Sequence, residues 1–161
     1  MSESGTSLRD PAHRVSPRAQ VMWTVGAATE GLVALLVLLG AVLVWEVPAW
    51  TLGVLATAVV AWVAVVPRWR YLVHRWEASA TAVYTQTGWW ARERRIAPMS
   101  RIQTVDYAEG PVERVFGLAS VTVTTASAAG ALGISGLDRD VARRLVDDLT
   151  RQADAVEGDA T

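Results

Sequence analysis

Residues 21–45 read VMWTVGAATEGLVALLVLLGAVLVW, and Glu30 is the only charge in this stretch. A second apolar run, AWTLGVLATAVVAWVAVV at residues 49–66, has no charged residue. A helix needs about 20 mostly apolar residues to cross the roughly 30 Å hydrocarbon core of a bilayer. A soluble helical hairpin would need a polar face on each helix, and neither run has one. The two runs therefore predict a transmembrane helical hairpin over residues 20–67.

The connector between the two runs is very short, since only Glu46, Val47 and Pro48 separate them. We therefore expect two antiparallel helices that lie side by side. The first run is too long for a cleaved signal peptide, lacks a small-residue cleavage site and is followed at once by a second span. We expect it to remain in the protein as a transmembrane helix.

The distribution of arginine predicts how the hairpin is oriented. Three arginines precede the first span and three follow the second, while the connector has none. Positive residues are retained on the cytoplasmic side, so we expect the cytoplasmic (inner) membrane and two cytoplasmic termini. Tryptophans near the expected boundaries agree, because indoles settle at the membrane–water interface. These residues are Arg9, Arg14, Arg18, Arg68, Arg70 and Arg75, with Trp23, Trp45, Trp50 and Trp69.

Glu30 is an acid inside an expected span. Folding the hairpin about Val47 sets Glu30 level with Ala64, about one turn inside the cytoplasmic boundary, and Arg68 lies one turn further out. An intramembrane acid is a functional candidate by default, because an unpaired charge there is costly. The alternative is a shallow carboxylate that snorkels or pairs with Arg68 and fixes the helix pair. We favour this structural interpretation.

From about Trp76 the composition becomes that of a soluble domain. Stretches rich in β-branched and aromatic residues predict strands at residues 80–85, 89–96, 102–107, 119–125 and 131–134, with a turn at Thr87 and Gly88 in the first hairpin. Apolar residues at helical spacing after Asp138 predict one amphipathic helix. Glu109 and Glu113, which flank a Gly-Pro break, are interpreted as solvated turn charges.

These patterns give five expected regions. Residues 1–19 form a cytoplasmic tail, residues 20–67 the hairpin and residues 68–75 a basic juxtamembrane linker. Residues 76–152 form a domain of antiparallel strands closed by one helix, and residues 153–161 an acidic tail.

Short motifs occur in a fixed order through this domain: IAP at 96–98, RIQ at 101–103, FGL at 116–118, VTV at 121–123 and ISGL at 134–137, with Val105, Gly110 and Arg114 between them. This set resembles the bacterial pleckstrin-homology (PH) domain of the YdbS-like membrane proteins, and the resemblance covers nearly the whole chain. It implies a membrane-anchored α+β protein, in which the hairpin precedes a small PH-like split β-barrel of about seven strands capped by a C-terminal helix. It also implies a partner, because a larger membrane protein with several PH-like domains often accompanies the small form.

Candidate interaction residues lie on and after the second predicted strand. Trp89 and Trp90 are adjacent, so on a strand they point to opposite faces and one must face outward. Three interpretations remain for the basic strip that follows: a face near anionic headgroups, a site for an acidic partner segment, or an edge strand kept charged against aggregation. The polar residues of the matched motifs either hydrogen-bond within the barrel, which we favour, or contact a ligand. The strip comprises Arg92, Arg94, Arg95 and Arg101, and the motif residues are Arg101, Gln103 and Arg114.

The sequence offers few residues that could carry out enzyme chemistry. There is no cysteine, and the only two histidines are His13, in an expected flexible tail, and His74. Their spacing is not that of metal ligands. Neither has a serine nucleophile and a carboxylate in a recognisable arrangement. We expect no enzymatic activity, no cofactor and no metal.

The charge of the domain bears on its partners. Residues 76–161 hold nine arginines against twelve acids, which gives −3 and argues against nucleic acid. Residues 85–88, the expected first hairpin loop, lack the basic residues of phosphoinositide-binding PH domains, so we do not expect phosphoinositide binding. The leading hypothesis is a membrane-anchored module that docks a protein partner or its own copies. The alternative is a lipid-headgroup sensor or envelope-maintenance protein that uses the arginine strip.

The orientation is testable with a reporter fused at Val47. We expect alkaline phosphatase, which is active only outside the cytoplasm, to be active there, because the connector lacks the positive charge that retains a loop. The same reporter fused after Thr161 should be inactive. A reporter active only in the cytoplasm that works at Val47 would overturn the orientation.

Overall fold

The chain forms two long helices and a domain of short strands in a computed structural model, which describes residues 10–88, 92–126 and 130–158. The elements are β1 (His13–Arg14), α1 (Pro17–Trp45), α2 (Trp50–Val73), β2 (Arg75–Ala78), β3 (Ala82–Gly88), β4 (Arg92–Pro98), β5 (Ile102–Ala108), α3 (Pro111–Phe116), β6 (Leu118–Thr125), β7 (Leu132–Asp138) and α4 (Arg139–Gly158).

The two long helices are α1, with 29 residues, and α2, with 24, and both are long and apolar enough to cross a membrane. The side chain of Ser16 accepts a hydrogen bond from the Arg18 amide and caps the start of α1. The left-handed backbone at Glu46 (φ 55°) ends it. A Cβ at Gly31 would overlap the side chain of Val59, so a glycine is needed where the helices approach closely. The hairpin predicted for this region is therefore present.

The basic linker predicted over residues 68–75 is wrong. Helix α2 continues through this stretch to Val73, and β2 begins at Arg75, so His74 alone connects them. The helix continues because one side of its last turn packs against the domain: Val73 is 4% exposed, and Tyr71 packs against the cluster that contains Leu118. The basic composition of residues 68–75 suggested a linker, but composition does not reveal that this segment packs against the domain.

The domain consists of two antiparallel sheets, ordered β1-β2-β3-β4 and β5-β6-β7, with α4 packed against the second. The core is formed by inward-facing residues of both sheets and by the apolar stripe of α4. The predicted α+β fold, with antiparallel strands capped by a C-terminal helix, is confirmed. Core residues with almost no exposure include Val83, Val121, Val123, Leu137, Ala142 and Leu149.

Strands β2 and β3 and helix α4 differ from the sequence prediction. Strand β2 was not predicted. The expected turn at Thr87 and Gly88 belongs to β3, since these residues pair with Glu93 and Arg92. Strand pairing persists there because the preceding Thr85 and Gln86 are buried. Helix α4 extends to Gly158, so the helix includes much of the expected acidic tail.

The N-terminal segment is part of the domain, so the prediction of a tail over residues 1–19 is wrong for its described residues. His13 pairs with Trp76 and Arg14 with Arg75, which adds β1 to the edge of β2. The Ala12 amide donates to the Glu77 carboxylate (2.9 Å). Two apolar residues, Pro11 and Val15, find buried positions in this arrangement. Two paired residues are too few to show strand periodicity in a sequence.

The first turn of α1 rests directly on β7. The Ser16 amide donates to the Gly136 carbonyl (2.8 Å), and the Ser16 hydroxyl donates to Asp138 Oδ1 (2.9 Å). Beside these bonds Val15, Ala19 and Leu118 form a second buried cluster. We call this contact the hairpin–domain junction. It holds the domain against the base of the transmembrane hairpin.

Gly136 is the residue most tightly fitted into the junction. Its φ of +77° is a left-handed conformation, and a Cβ there would lie 2.7 Å from Ala19 Cβ. We expect Gly136→Ala to lower the free energy of unfolding by about 2 kcal/mol or more, from backbone strain plus overlap with α1. The midpoint of unfolding in detergent measures this.

Gly133 on the same strand provides the matched control. It has no atom within 4 Å of an added Cβ, so Gly133→Ala should leave the midpoint unchanged or slightly raised. Equal losses in the two variants would contradict the junction as described.

Candidate functional site

The arginine strip on β4 is only partly an open cationic face. Arg94 forms an ion pair with Asp10, and its Nε donates to Gln86 Oε1 (3.0 Å). Arg95 pairs with Glu93 (2.6 Å) and donates to the Ala131 carbonyl (3.1 Å). Two of the three β4 arginines therefore have an acid beside them, which reduces their attraction for anionic lipid.

Strand β4 is the last strand of its sheet in the described residues. Ile96 is 51% exposed on this strand, and Arg92 is exposed at its start. Trp89 and Trp90, the predicted aromatic contact, lie outside the residues that the structure describes.

The polar residues of the matched motifs do not form one site. Arg101 and Gln103 are exposed at the start of β5, beside an irregular pairing between Ile102 and Thr104. Arg114 lies in α3, beyond the other end of this seven-residue strand, which spans about 23 Å. The Arg101 carbonyl accepts a bond from the Ala126 amide (3.0 Å), which fixes the loop locally.

Glu30 lies in a groove of about 510 Å³ between the two spans and the start of α3, and Arg70 lines the same groove. Arg68 is exposed, and within the described part of the chain no ion pair joins it to Glu30. Of the two structural alternatives, the pairing is therefore not formed, and the snorkelling carboxylate stays a prediction. Arg68 and Arg70 are two residues apart on α2 and therefore face in different directions. The Arg70 guanidinium instead stacks on the ring of Trp23, 4.2 Å from its centroid.

Glu109 is the centre of a charged cluster that the sequence did not predict. Its side chain is 14% exposed and lies 2.9 Å from Arg139 Nε, 3.7 Å from Arg143 and 3.8 Å from Arg114. The Tyr107 hydroxyl also donates to it. The cluster ties β5, α3 and α4 together at one end of the barrel.

Glu113 is also structural. Its carboxylate accepts bonds from the Gly110 amide (2.9 Å) and the Ser120 hydroxyl (2.6 Å), which closes the start of α3. The interpretation of Glu109 and Glu113 as solvated turn charges is therefore wrong. In the sequence both acids border a turn, but the fold brings β6 and α4 against them.

The environment of Glu109 stabilises its ionised form. The hydrogen bond from Tyr107 lowers the pKa of the Glu109 carboxyl, and the charges of Arg139, Arg143 and Arg114 lower it further, while partial burial opposes them. Burial and the bond to this carboxylate raise the pKa of the Tyr107 hydroxyl. The cluster therefore favours the negatively charged carboxylate of Glu109 over the protonated acid.

A pocket of about 530 Å³ lies beside this cluster, where α1, α3 and α4 begin or end. Three arginines line it, namely Arg18, Arg114 and Arg139, together with the apolar Val21 and Val115. We call it the arginine pocket. Arg18 lies 3.7 Å from Asp138, and the glycine at position 117 leaves room for its guanidinium, which would be 3.3 Å from a Cβ there.

Sequence reasoning missed the arginine pocket because its residues come from three distant segments. Arg18 was counted only as a topology signal, and Arg114 only as a motif residue. No spacing relates residues 18, 114 and 139, since the hairpin–domain junction alone brings the first near the other two.

Two apolar helices followed by a two-sheet antiparallel domain and a C-terminal helix define a membrane-anchored protein with a PH-like fold. The chain belongs to the bacterial PH domain family. Residues 24–153 match the model of this family, which is described as "Bacterial PH domain". It is similar to the UPF0699 transmembrane protein YdbS of Bacillus subtilis (strain 168), with 28% identity over 156 residues, or 92% of this chain and 97% of that protein. No solved structure matches it. The resemblance inferred from the ordered motifs is confirmed.

The Glu109 cluster predicts a pH-dependent contribution to stability. Because the folded-state pKa of Glu109 lies below its unfolded value of about 4.5, the contribution is complete above that pH and disappears as the pH falls toward the folded pKa. Glu109→Gln should therefore lower the unfolding midpoint by a constant amount between pH 7 and pH 5, and by less below about pH 4.

Asp147→Asn is the matched control, since Asp147 is exposed on the same helix as Arg139 and Arg143. Its effect on the midpoint at pH 7 should be much smaller. A loss in Glu109→Gln that stays the same from pH 7 to pH 3 would rule out ionisation of Glu109 as the cause.

Proposed function

We propose that this protein is a non-enzymatic, membrane-anchored interaction module that docks a membrane-protein partner at the cytoplasmic face. The first candidate partner is a larger membrane protein with several PH-like domains, and the second is another copy of this chain. The observation that supports the proposal best is the hairpin–domain junction, because it fixes the orientation of the domain relative to the bilayer.

A fixed domain is suited to docking within a membrane. Both partners are confined to the same surface, so their effective concentration is high and weak contacts suffice. A domain on a flexible tether would lose rotational freedom on binding, and this loss lowers affinity. Here Ser16 and Asp138 hold the domain before any partner arrives. The junction thus reduces the loss of rotational entropy that accompanies docking.

The edge of β4 is the surface that we propose for the partner. The outermost strand of a sheet can accept an added strand through backbone hydrogen bonds. Ile96 offers an exposed apolar contact on that strand, and Arg92 adds positive charge at its start. An extended partner segment with an apolar residue and nearby acids fits this edge. The pairing of Arg94 with Asp10 and of Arg95 with Glu93 makes the strip less suited to reading anionic lipid.

Site-specific photo-crosslinking tests the proposed edge. A photoreactive amino acid at position 96 should, in native membranes, give a crosslinked product that mass spectrometry identifies as a membrane protein or as a second copy. The same amino acid at the exposed Thr150 of α4 is the control and should give no such product. The product should also be lost when Arg92 is changed to Glu, which reverses the charge beside the edge.

Two results would refute the docking surface. One is the absence of any product at position 96 in membranes where the full chain is folded and inserted. The other is the same crosslinked product at positions 96 and 150, since equal crosslinking from two faces indicates random collision and not a specific docking surface.

A further inference from the structure

We propose that the arginine pocket binds the phosphate of an anionic phospholipid from the leaflet that surrounds the start of α1. This inference goes beyond the docking function, because it concerns a different surface and a lipid ligand. It also differs from lipid reading by the β4 strip, whose arginines take no part in it.

The depth of the pocket follows from helix geometry. Helix α1 is about 43 Å long, whereas the hydrocarbon core is about 30 Å thick. With Trp45 at one membrane–water interface, the core ends near residue 25 on the other side. Val21 then lies in the headgroup layer and Arg18 at its outer edge. Phosphates occupy this layer, so the pocket is at the right height.

Helix α3 brings the domain side of the pocket to the same height. Val112, in α3, lines the groove that also contains Gly26 and Glu30 of α1. The start of α3 therefore lies level with the inner end of the span, and Arg114, two residues after Val112, is close to the headgroups. Arg18 and Arg114 thus approach the headgroup layer from the two sides of the pocket.

The chemistry of the lining fits a phospholipid rather than a free anion. Guanidinium groups bind phosphate oxygens through paired, charge-assisted hydrogen bonds. Arg18 is 67% exposed and Arg114 is 70% exposed, so both have donors available. Val21 and Val115 are 54% and 82% exposed at the same pocket, where they match the glycerol and upper acyl chain of a lipid.

The local charge balance remains positive after the neighbouring acids are counted. Three arginines line the pocket, namely Arg18, Arg114 and Arg139, and two acids, Asp138 and Glu109, form ion pairs with them. The difference is +1. A lipid with one net negative charge neutralises this surplus, whereas a zwitterionic lipid does not.

Native mass spectrometry of the full-length protein in detergent tests the proposal. The protein is titrated with phosphatidylglycerol and, separately, with phosphatidylcholine. Each arginine near an anionic lipid surface contributes roughly fivefold in affinity, so Arg18→Gln with Arg114→Gln should weaken phosphatidylglycerol binding roughly thirtyfold. Phosphatidylcholine binding should change little.

Two double variants serve as controls. Arg144→Gln with Arg151→Gln removes the same number of charges from the exposed side of α4 and should leave binding unchanged. Arg18→Lys with Arg114→Lys keeps the charge and should restore most of the affinity. Should the double Gln variant fail to fold, Arg114→Gln alone tests the pocket, because this side chain is mostly exposed.

Several results would overturn the proposal. Unchanged phosphatidylglycerol binding in Arg18→Gln/Arg114→Gln, or an equal loss in Arg144→Gln/Arg151→Gln, would show that the pocket is not the site. Displacement of the lipid by millimolar inorganic phosphate, with no preference for phosphatidylglycerol over phosphatidylcholine, would show a site for free phosphate instead.

Discussion

Both transmembrane helices continue almost without a break into two strands that are hydrogen-bonded to each other. Only Val15 and Ser16 separate β1 from α1, and only His74 separates α2 from β2. Because β1 and β2 pair, the base of the hairpin is closed on both sides, and neither connection is long enough for the domain to swing. The position of every other element relative to the bilayer depends on this closure.

The junction also explains why the domain tolerates polar groups beside the membrane. Ser16 caps α1 with its side chain and donates the same hydroxyl to Asp138, so one residue satisfies a helix terminus and fixes the end of β7. Arg18 lies near the same carboxylate. The contact that positions the domain thus also supplies Asp138 with its hydrogen-bond and ion-pair partners.

The sequence predicts well what depends on local pattern and poorly what depends on contact between distant segments. The uncharged run at residues 49–66 specifies a span by itself, and the apolar spacing of Ala142, Leu145 and Leu149 specifies one face of α4. Strand β1 could not be predicted, because two residues show no periodicity. The arginine pocket could not be predicted either, since it exists only once the junction places Arg18 beside α3.

Net charge is consequently a poor guide to how this domain meets a membrane. Residues 76–161 sum to −3, and an acidic domain on a flexible tether would be repelled from an anionic surface. Charges separated by more than about 8 Å are largely screened at physiological salt, so the groups nearest the bilayer decide the interaction. In the lipid site that we propose, Arg18 and Arg114 are these groups, while acids such as Asp147 and Asp148 are exposed on α4. A chain with a formal charge of −1 can therefore present a positive surface to lipid, because its fold, rather than its composition, selects which charges lie at the headgroups.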